Sequence, residues 1–301
     1  MSSQNNPNHC GFVAIVGRPN VGKSTLLNQC IGLKLAITSH KPQTTRHRIS
    51  GIQTLEGGQI IYLDTPGIHR RGEKAMNKYL NRTAKTTLAG VDLVLFIIEN
   101  DIWTEEDEDV LIAAKQSNLP IILVINKIDL LNKKEKLLPY LAQLSKKADF
   151  AEIIPLSALQ GGKQIQQLEK QILAHLPEND NLYPDDQLTD RPERFFAAEL
   201  IREQLTRRYH KELPYAVTVE IEKFEETPKQ YNIAAIIWVE KKGQKQIIIG
   251  SKGESLKITA THSRQAMEKF FDKKVYLNIW VKVMSGWSSG EAALGRLGYG
   301  D

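Results

Sequence analysis

The sequence predicts a doubly wound, mostly parallel α/β domain followed by a smaller α+β domain. Three observations carry this. Over the first 175 of the 301 residues, short apolar runs alternate with amphipathic helical patterns. Next comes a Pro-, Asp- and Asn-rich stretch, PENDNLYPDDQLTDRPER, that has no periodicity. After it the rhythm changes to alternating, strand-like segments around a glycine turn.

The apolar runs at 12–16, 60–63, 93–98, 121–125 and 153–156 are continuous rather than alternating, as strands buried on both faces require. Helical patterns lie between them at 23–31, 75–88, 105–117, 133–147 and 164–175, so right-handed crossovers build the sheet. The domain is read as 1–176 and the linker as 177–193, semi-extended. Residues 194–301 form the second domain: a helix over 194–207, paired strands at 215–224 and 231–240, an apolar segment running into a glycine turn at 250–253, a long helix, and a closing strand, VYLNIWVKV.

Composition narrows the setting. The chain is 41% hydrophobic and 25% charged, and no apolar run approaches the roughly 20 residues that cross a bilayer. The N-terminus, MSSQNNPNHC, has no basic region leading into an apolar one, so a cytoplasmic protein is expected. Two cysteines, Cys10 and Cys30, suggest no disulfide framework and fit a reducing compartment. Net charge is +5, and its excess is local. Between Lys241 and Lys282 ten Lys and Arg stand against three Asp and Glu, a surplus of seven that suits a polyanionic partner.

Residues 17–24 read GRPNVGKS, after an apolar run and at the start of a helical pattern. That is the phosphate-binding loop in its required context: backbone N–H groups curl around phosphates at a helix N-terminus, where the helix dipole favours anions. Gly17, Arg18, Pro19, Asn20, Val21, Gly22, Lys23, Ser24 and Thr25 are the candidate nucleotide cradle. Lys23 reaches the β and γ phosphates, and the Ser24 hydroxyl completes a Mg²⁺ shell. Guanine selectivity comes from NKID at 126–129. The Asp129 carboxylate accepts from the N1–H and amine of guanine, which adenine does not match, while Asn126 braces the loop and the Lys127 stem covers the base. Ser157 and Ala158 in PLSAL offer a backbone N–H to guanine O6. In DTPG, Asp64 holds Mg²⁺ through water, Thr65 and Pro66 shape the turn, and the Gly67 N–H senses the γ phosphate. Thr44 or Thr45 in KPQTTRHR adds a further metal hydroxyl when GTP is bound. The cofactors are therefore GTP or GDP with Mg²⁺.

These motifs, in this order and each at a strand end, resemble the translation-factor-related class of small GTPases over residues 12–160. In that class the threonine before arginine, here Thr45, holds the metal. One departure matters: Ile68 follows DTPG, and it cannot orient a water as glutamine would. The subgroup with a hydrophobic residue there and an asparagine in the phosphate loop uses K⁺ as a charge substitute for an arginine finger, and Asn20 matches that asparagine. The resemblance thus implies a catalytic set of Lys23, Thr45, Gly67 and Asn20.

In the second domain GSKG, residues 250–253, opens a long helix amid basic residues. A GXXG loop clamps the backbone of about four unpaired nucleotides. With its surrounding elements it resembles a type II KH domain, and Gly250, Ser251, Lys252, Gly253, Lys257 and Arg264 are the candidate RNA contacts. The GTPase motifs joined to this domain and ending in WVKVMSGW resemble the Era-like bacterial GTPases over nearly the whole chain. That resemblance implies a protein that couples its nucleotide state to binding of the 3′ region of 16S ribosomal RNA in small-subunit (30S) maturation; a monomer is the default expectation. It also implies peripheral contact with the inner face of the cell membrane. DNA is not among the implied partners.

Overall fold

The computed structural model describes residues 7–39, 41, 44–66, 75–100, 102–131, 135, 137–209 and 213–299. They form two compact units: residues 1–36, 45–72 and 80–190 make the first, and 37–44, 73–79 and 191–301 the second.

The first unit holds a six-stranded sheet in the order β2-β3-β1-β4-β5-β6, built from β1 (His9–Val16), β2 (Ile49–Leu55), β3 (Gly58–Asp64), β4 (Leu93–Glu99), β5 (Ile121–Asn126) and β6 (Glu152–Pro155). All pairs are parallel except β2 with β3. The apolar runs LVLFIIE and IILVIN form β4 and β5, in the middle of the sheet and buried from both sides as their continuous hydrophobicity requires. The helices are α1 (Lys23–Ile31), α2 (Ala75–Leu88), α3 (Glu105–Lys115), α4 (Leu137–Leu144) and α5 (Lys163–His175). A reciprocal capping box between Thr104 and Asp107 starts α3, and left-handed Asn118 follows its last turn.

Three features differ from the expectation. β2 is absent from the predicted order, because ISGIQTL mixes glycine and polar residues and shows no clean run. The helix expected over 133–147 spans Leu137–Leu144, and residues 132–134 and 136 lie outside the described set. The linker is not a free spacer. Its first part runs along the first unit, where Cys10 N–H donates to Pro177 O at 3.1 Å and Ile52 N–H to Leu188 O at 2.9 Å. The fully buried Gln59 amide binds it from inside: Oε1 accepts from Leu182 and Tyr183 N–H at 3.1 and 3.0 Å, and Nε2 donates to Tyr183 O at 2.9 Å. A buried amide needs partners, and this strap supplies them.

The second unit contains α6 (Glu193–Arg208), β7 (Val217–Glu226), β8 (Gln230–Val239), α7 (Lys242–Ile249), α8 (Glu254–Phe271), β9 (Lys274–Val283) and α9 (Glu291–Arg296). Its sheet has the order β7-β8-β9, antiparallel then parallel. Ile201, Leu205, Ala235, Ile237, Ile248 and Met267 lie among its buried core. The apolar segment expected before the glycine turn is the end of a helix, α7, whose start is fixed by Gln244 Oε1 accepting from Glu240 and Lys241 N–H, both at 2.9 Å. Within the same unit the Arg202 guanidinium binds Glu199 and donates to Thr44 O, Thr38 N–H donates to Glu203, and Lys41 Nζ donates to the carbonyls of Thr206 and Tyr209.

Candidate functional site

The residues expected to hold phosphate and metal gather at the carboxyl ends of β1 and β3. Gly22, at φ 106°, caps α1 in the left-handed region, and a Cβ there would stand 2.2 Å from Asn126 Nδ2, so only glycine closes the loop. Lys23 is almost wholly buried and folds back so that Nζ donates to Gly17 O at 2.9 Å and Arg18 O at 3.0 Å. Burial lowers its pKa to about 8, although Asp64 opposes the shift. The ammonium is thus held on the loop's own carbonyls, which a phosphate oxygen outcompetes for a cation.

Ser24, Thr45 and Asp64 converge. Ser24 Oγ lies 3.0 Å from Thr45 Oγ1 and donates to Asp64 Oδ2 at 2.9 Å, and Thr45 Oγ1 is 3.4 Å from the same oxygen. Burial raises the Asp64 pKa to about 6 against the pull of Lys23, Ser24 and Thr45. Its Oδ1 is buried without a hydrogen-bond partner. An orphaned carboxylate oxygen beside two hydroxyls fits a hard divalent cation whose remaining ligands are phosphate and water. Thr44 is turned elsewhere: its hydroxyl donates to Lys41 O at 2.5 Å. Thr65 donates from Oγ1 to Ile15 O at 2.9 Å, and Pro66 is buried. Gly67 and Ile68 lie outside the described residues. Asn20 is exposed at φ 67°, a left-handed position that asparagine tolerates.

On the base side Asn126 is the joint. Its Nδ2 donates to Val21 O at 2.8 Å in the phosphate loop, and its Oδ1 accepts from Lys127 N–H at 2.7 Å and Ala158 N–H at 2.9 Å. One buried amide thereby ties three loops together. Asp129 is exposed. At PLSAL, Ala158 N–H donates to Asn126 and Ser157 N–H to Gln164 Oε1 at 3.0 Å, so this buried strand end satisfies its donors internally. Sequence reasoning also missed Glu99 and Asp107, which bind Arg18 of the phosphate loop. A carboxylate closing an otherwise apolar strand, as Glu99 closes β4, was the available signal.

In the second unit Gly250, Ser251, Lys252 and Gly253 form a tight turn joining α7 to α8. A Cβ on Gly250, at φ 73°, would lie 2.5 Å from Ser255 Cβ. Ser251 and Lys252 are exposed, and so is Lys257 one turn into α8. Arg264 does not join them. It sits roughly 10 Å beyond Lys257 along the helix axis, at 1.5 Å per residue, and its Nη1 binds Glu268 Oε2 at 2.6 Å.

Residues 12–127 match the family described as 50S ribosome-binding GTPase, and residues 212–288 match the KH domain. The chain is 53% identical over 296 residues to GTPase Era of Pseudomonas fluorescens (strain Pf0-1), covering 98% of each chain. The chain belongs to the Era family of GTPases. An Era of Pseudomonas putida (strain W619) is 52% identical over 299 residues, with 99% of each chain covered. Two solved Era structures superpose with a TM-score of 0.93 at 38% identity. One is a single-residue variant of Aquifex aeolicus Era bound to GDP.AlF4-, covering 97% of this chain and 100% of that one. The other is Era in complex with MgGDPNP and nucleotides 1506–1542 of 16S ribosomal RNA, covering 98% and 100%. Membership of the Era family makes this protein a GTPase with a P-loop domain and a KH domain.

Proposed function

We propose that the chain binds the 3′ region of 16S ribosomal RNA through its GXXG turn, under control of the bound guanine nucleotide, during assembly of the small ribosomal subunit. The observation that carries the reading is the pairing, in one chain, of a closed Ser24–Thr45–Asp64 cluster with an exposed Gly250–Gly253 turn next to Lys257. The solved Era complex with MgGDPNP and 16S nucleotides supports it.

In this reading the loop of Gly17–Ser24 cradles the phosphates and Lys23 exchanges its loop carbonyls for phosphate oxygens. Asp129 and Lys127 select guanine. Bound Mg²⁺, held by Ser24, Thr45 and, through water, Asp64, neutralises charge on the transferring phosphoryl group. Thr45 is the metal hydroxyl rather than Thr44. Its chain neighbour Thr44 is gripped at its carbonyl by Arg202. Asn20 would hold a K⁺ ion supplying the positive charge that an arginine finger supplies elsewhere, and hydrolysis at saturating Mg²⁺ is then expected to be faster in KCl than in NaCl. Peripheral membrane contact rests on the resemblance alone, and a monomeric state is the default expectation.

The test is binding of a single-stranded fragment of the 16S 3′ end to the full chain loaded with GDP or a nonhydrolysable GTP analogue. The expected result is a clear preference for one nucleotide state, abolished in a Gly250→Asp/Gly253→Asp double variant that still binds GDP. Equal affinities in the two states would sink the gating, and no binding in either would sink the RNA reading.

A further inference from the structure

The sheet order places β4 between β1 and β5, so the end of β4 lies between the phosphate loop that follows β1 and the base loop that follows β5. Glu99, the last residue of β4, occupies that point and is paired in register with Asn126. Its two carboxylate oxygens are divided between the loops: Oε2 accepts from Arg18 Nη2 at 2.9 Å, and Oε1 from Lys127 Nζ at 2.9 Å. The Arg18 side chain is only 14% exposed, and its Nε donates to Asp107 Oδ2 at 3.2 Å. Asp107 in turn is fully buried and is locked by Thr104, whose N–H and hydroxyl donate to the same Oδ2 at 2.9 and 2.8 Å. Burial opposes the charged form of Glu99, yet Lys127 and then Arg18 outweigh it and hold its pKa below the ordinary carboxylate value.

The arrangement is a chain of fixed groups running from the start of α3 through Arg18 and Glu99 to Lys127. Asn126 already joins the two loops through the floor of the site. Glu99 joins them a second time, from the side, through charged groups whose hydrogen bonds are stronger and more directional than neutral ones. Without that bridge Lys127 regains its rotamer freedom while Arg18 keeps only its contact to Asp107, and each loop must be ordered separately when nucleotide binds.

We propose that Glu99 is a positioning residue for guanine nucleotides. Its carboxylate bridge between Arg18 and Lys127 sets the Lys127 stem at the base plane and makes the phosphate and base loops bind as one preformed unit. This rests on the GTP-site reading above. It assigns Glu99 to affinity and not to chemistry, since both its oxygens are taken up by Arg18 and Lys127 and neither bonds the Ser24–Asp64 cluster where the phosphoryl group transfers.

The experiment uses the full chain with a fluorescent GDP and with GTP. Glu99→Gln keeps shape and volume but removes the charge, and its dissociation constant for GDP is expected to rise about 10- to 100-fold, the range for losing hydrogen bonds between charged groups. The hydrolysis rate at saturating GTP is expected to stay within about twofold, and Glu99→Asp to recover part of the affinity. Coupling gives the readout that a merely structural role would not move. In the wild-type background the losses from Arg18→Gln and Lys127→Met are less than multiplicative, because both break the same bridge, and in the Glu99→Gln background they become multiplicative. Unchanged GDP affinity in Glu99→Gln, or a fall in hydrolysis rate that matches the fall in affinity, would overturn the proposal. If Glu99→Gln does not fold, the Arg18–Lys127 cycle in the wild-type chain decides alone, and multiplicative losses there overturn it. Failure of the wild-type chain itself to bind GDP would strike the underlying site reading instead.

Discussion

Glu169 is the residue at which burial and charge conflict most plainly. It lies on α5, 6% exposed, close enough to the buried Cys30 and Tyr62 for its charge to raise both their pKa values, and burial pushes its own from 4.5 up to about 7. Below pH 4.5 the group is protonated in both folded and unfolded chains. As pH rises from 4.5 towards 7 the unfolded chain releases its proton first, so stability falls; above about 7 the loss is complete, at roughly 3 kcal/mol by 1.36 kcal/mol per pH unit. Glu169→Gln is expected to flatten that decline in urea denaturation series taken between pH 4.5 and 7.5, and an unaltered slope would show that Glu169 is solvated. Nothing in the sequence marked this residue, because its helical spacing reads like any other charged position. The residues of GRPNVGKS, Asp64 and NKID could be proposed from the sequence for the opposite reason: together they form patterns that phosphate, metal and guanine chemistry calls for at strand ends. For Arg264 the sequence held no sign of the Glu268 partner one turn on, which shares its guanidinium in the structure.

Among elements, the strap over residues 177–190 depends on Gln59 more than on its own composition. Gln59→Leu removes the hydrogen bonds to Leu182 and Tyr183 N–H and to Tyr183 O and is expected to cost about 2–4 kcal/mol, at roughly 0.5–1.5 kcal/mol per hydrogen bond. Chymotrypsin should then cut after Leu182 or Leu188 several times faster than in the wild type, followed by gel electrophoresis; equal cleavage rates would mean that the strap is held from elsewhere. The strap was invisible to periodicity because it forms no regular element and its bonds come from residues more than a hundred positions away. β2 escaped notice for a related reason: its burial comes from packing over Gly51, where Leu27 and Ile31 approach, and not from a run of large apolar side chains. α7 was hidden by its short length, eight residues, and by an apolar end that reads equally as strand.

For the molecule as a whole, net charge understates what the second unit presents to a polyanion. The surplus of seven between Lys241 and Lys282 surrounds the GXXG turn and α8, while Arg264 and Lys273 are neutralised by Glu268 and Glu226. With a clamp on about four nucleotides, log K for single-stranded RNA is expected to fall with log salt at a slope of about −2 to −3, each phosphate contact contributing about 0.7. A titration between about 50 and 300 mM KCl measures it. Lys252→Ala should lower the slope by about one contact, and a slope near zero would exclude phosphate clamping. The order of the two folded parts was legible from the change of rhythm near residue 177. That residues 37–44 and 73–79 group with the second unit was not, since both lie between motifs of the first.

The strap has one more consequence. β2 is the outermost strand of its sheet, and an open strand edge is a template on which a second chain can add itself. Leu188 O occupies Ile52 N–H on that edge, and Thr189 Oγ1 donates to Ser50 O beside it. A stretch that holds none of the candidate catalytic or RNA-contacting residues therefore covers part of that edge, and a chain nicked within it is expected to gain a tendency to associate edge to edge.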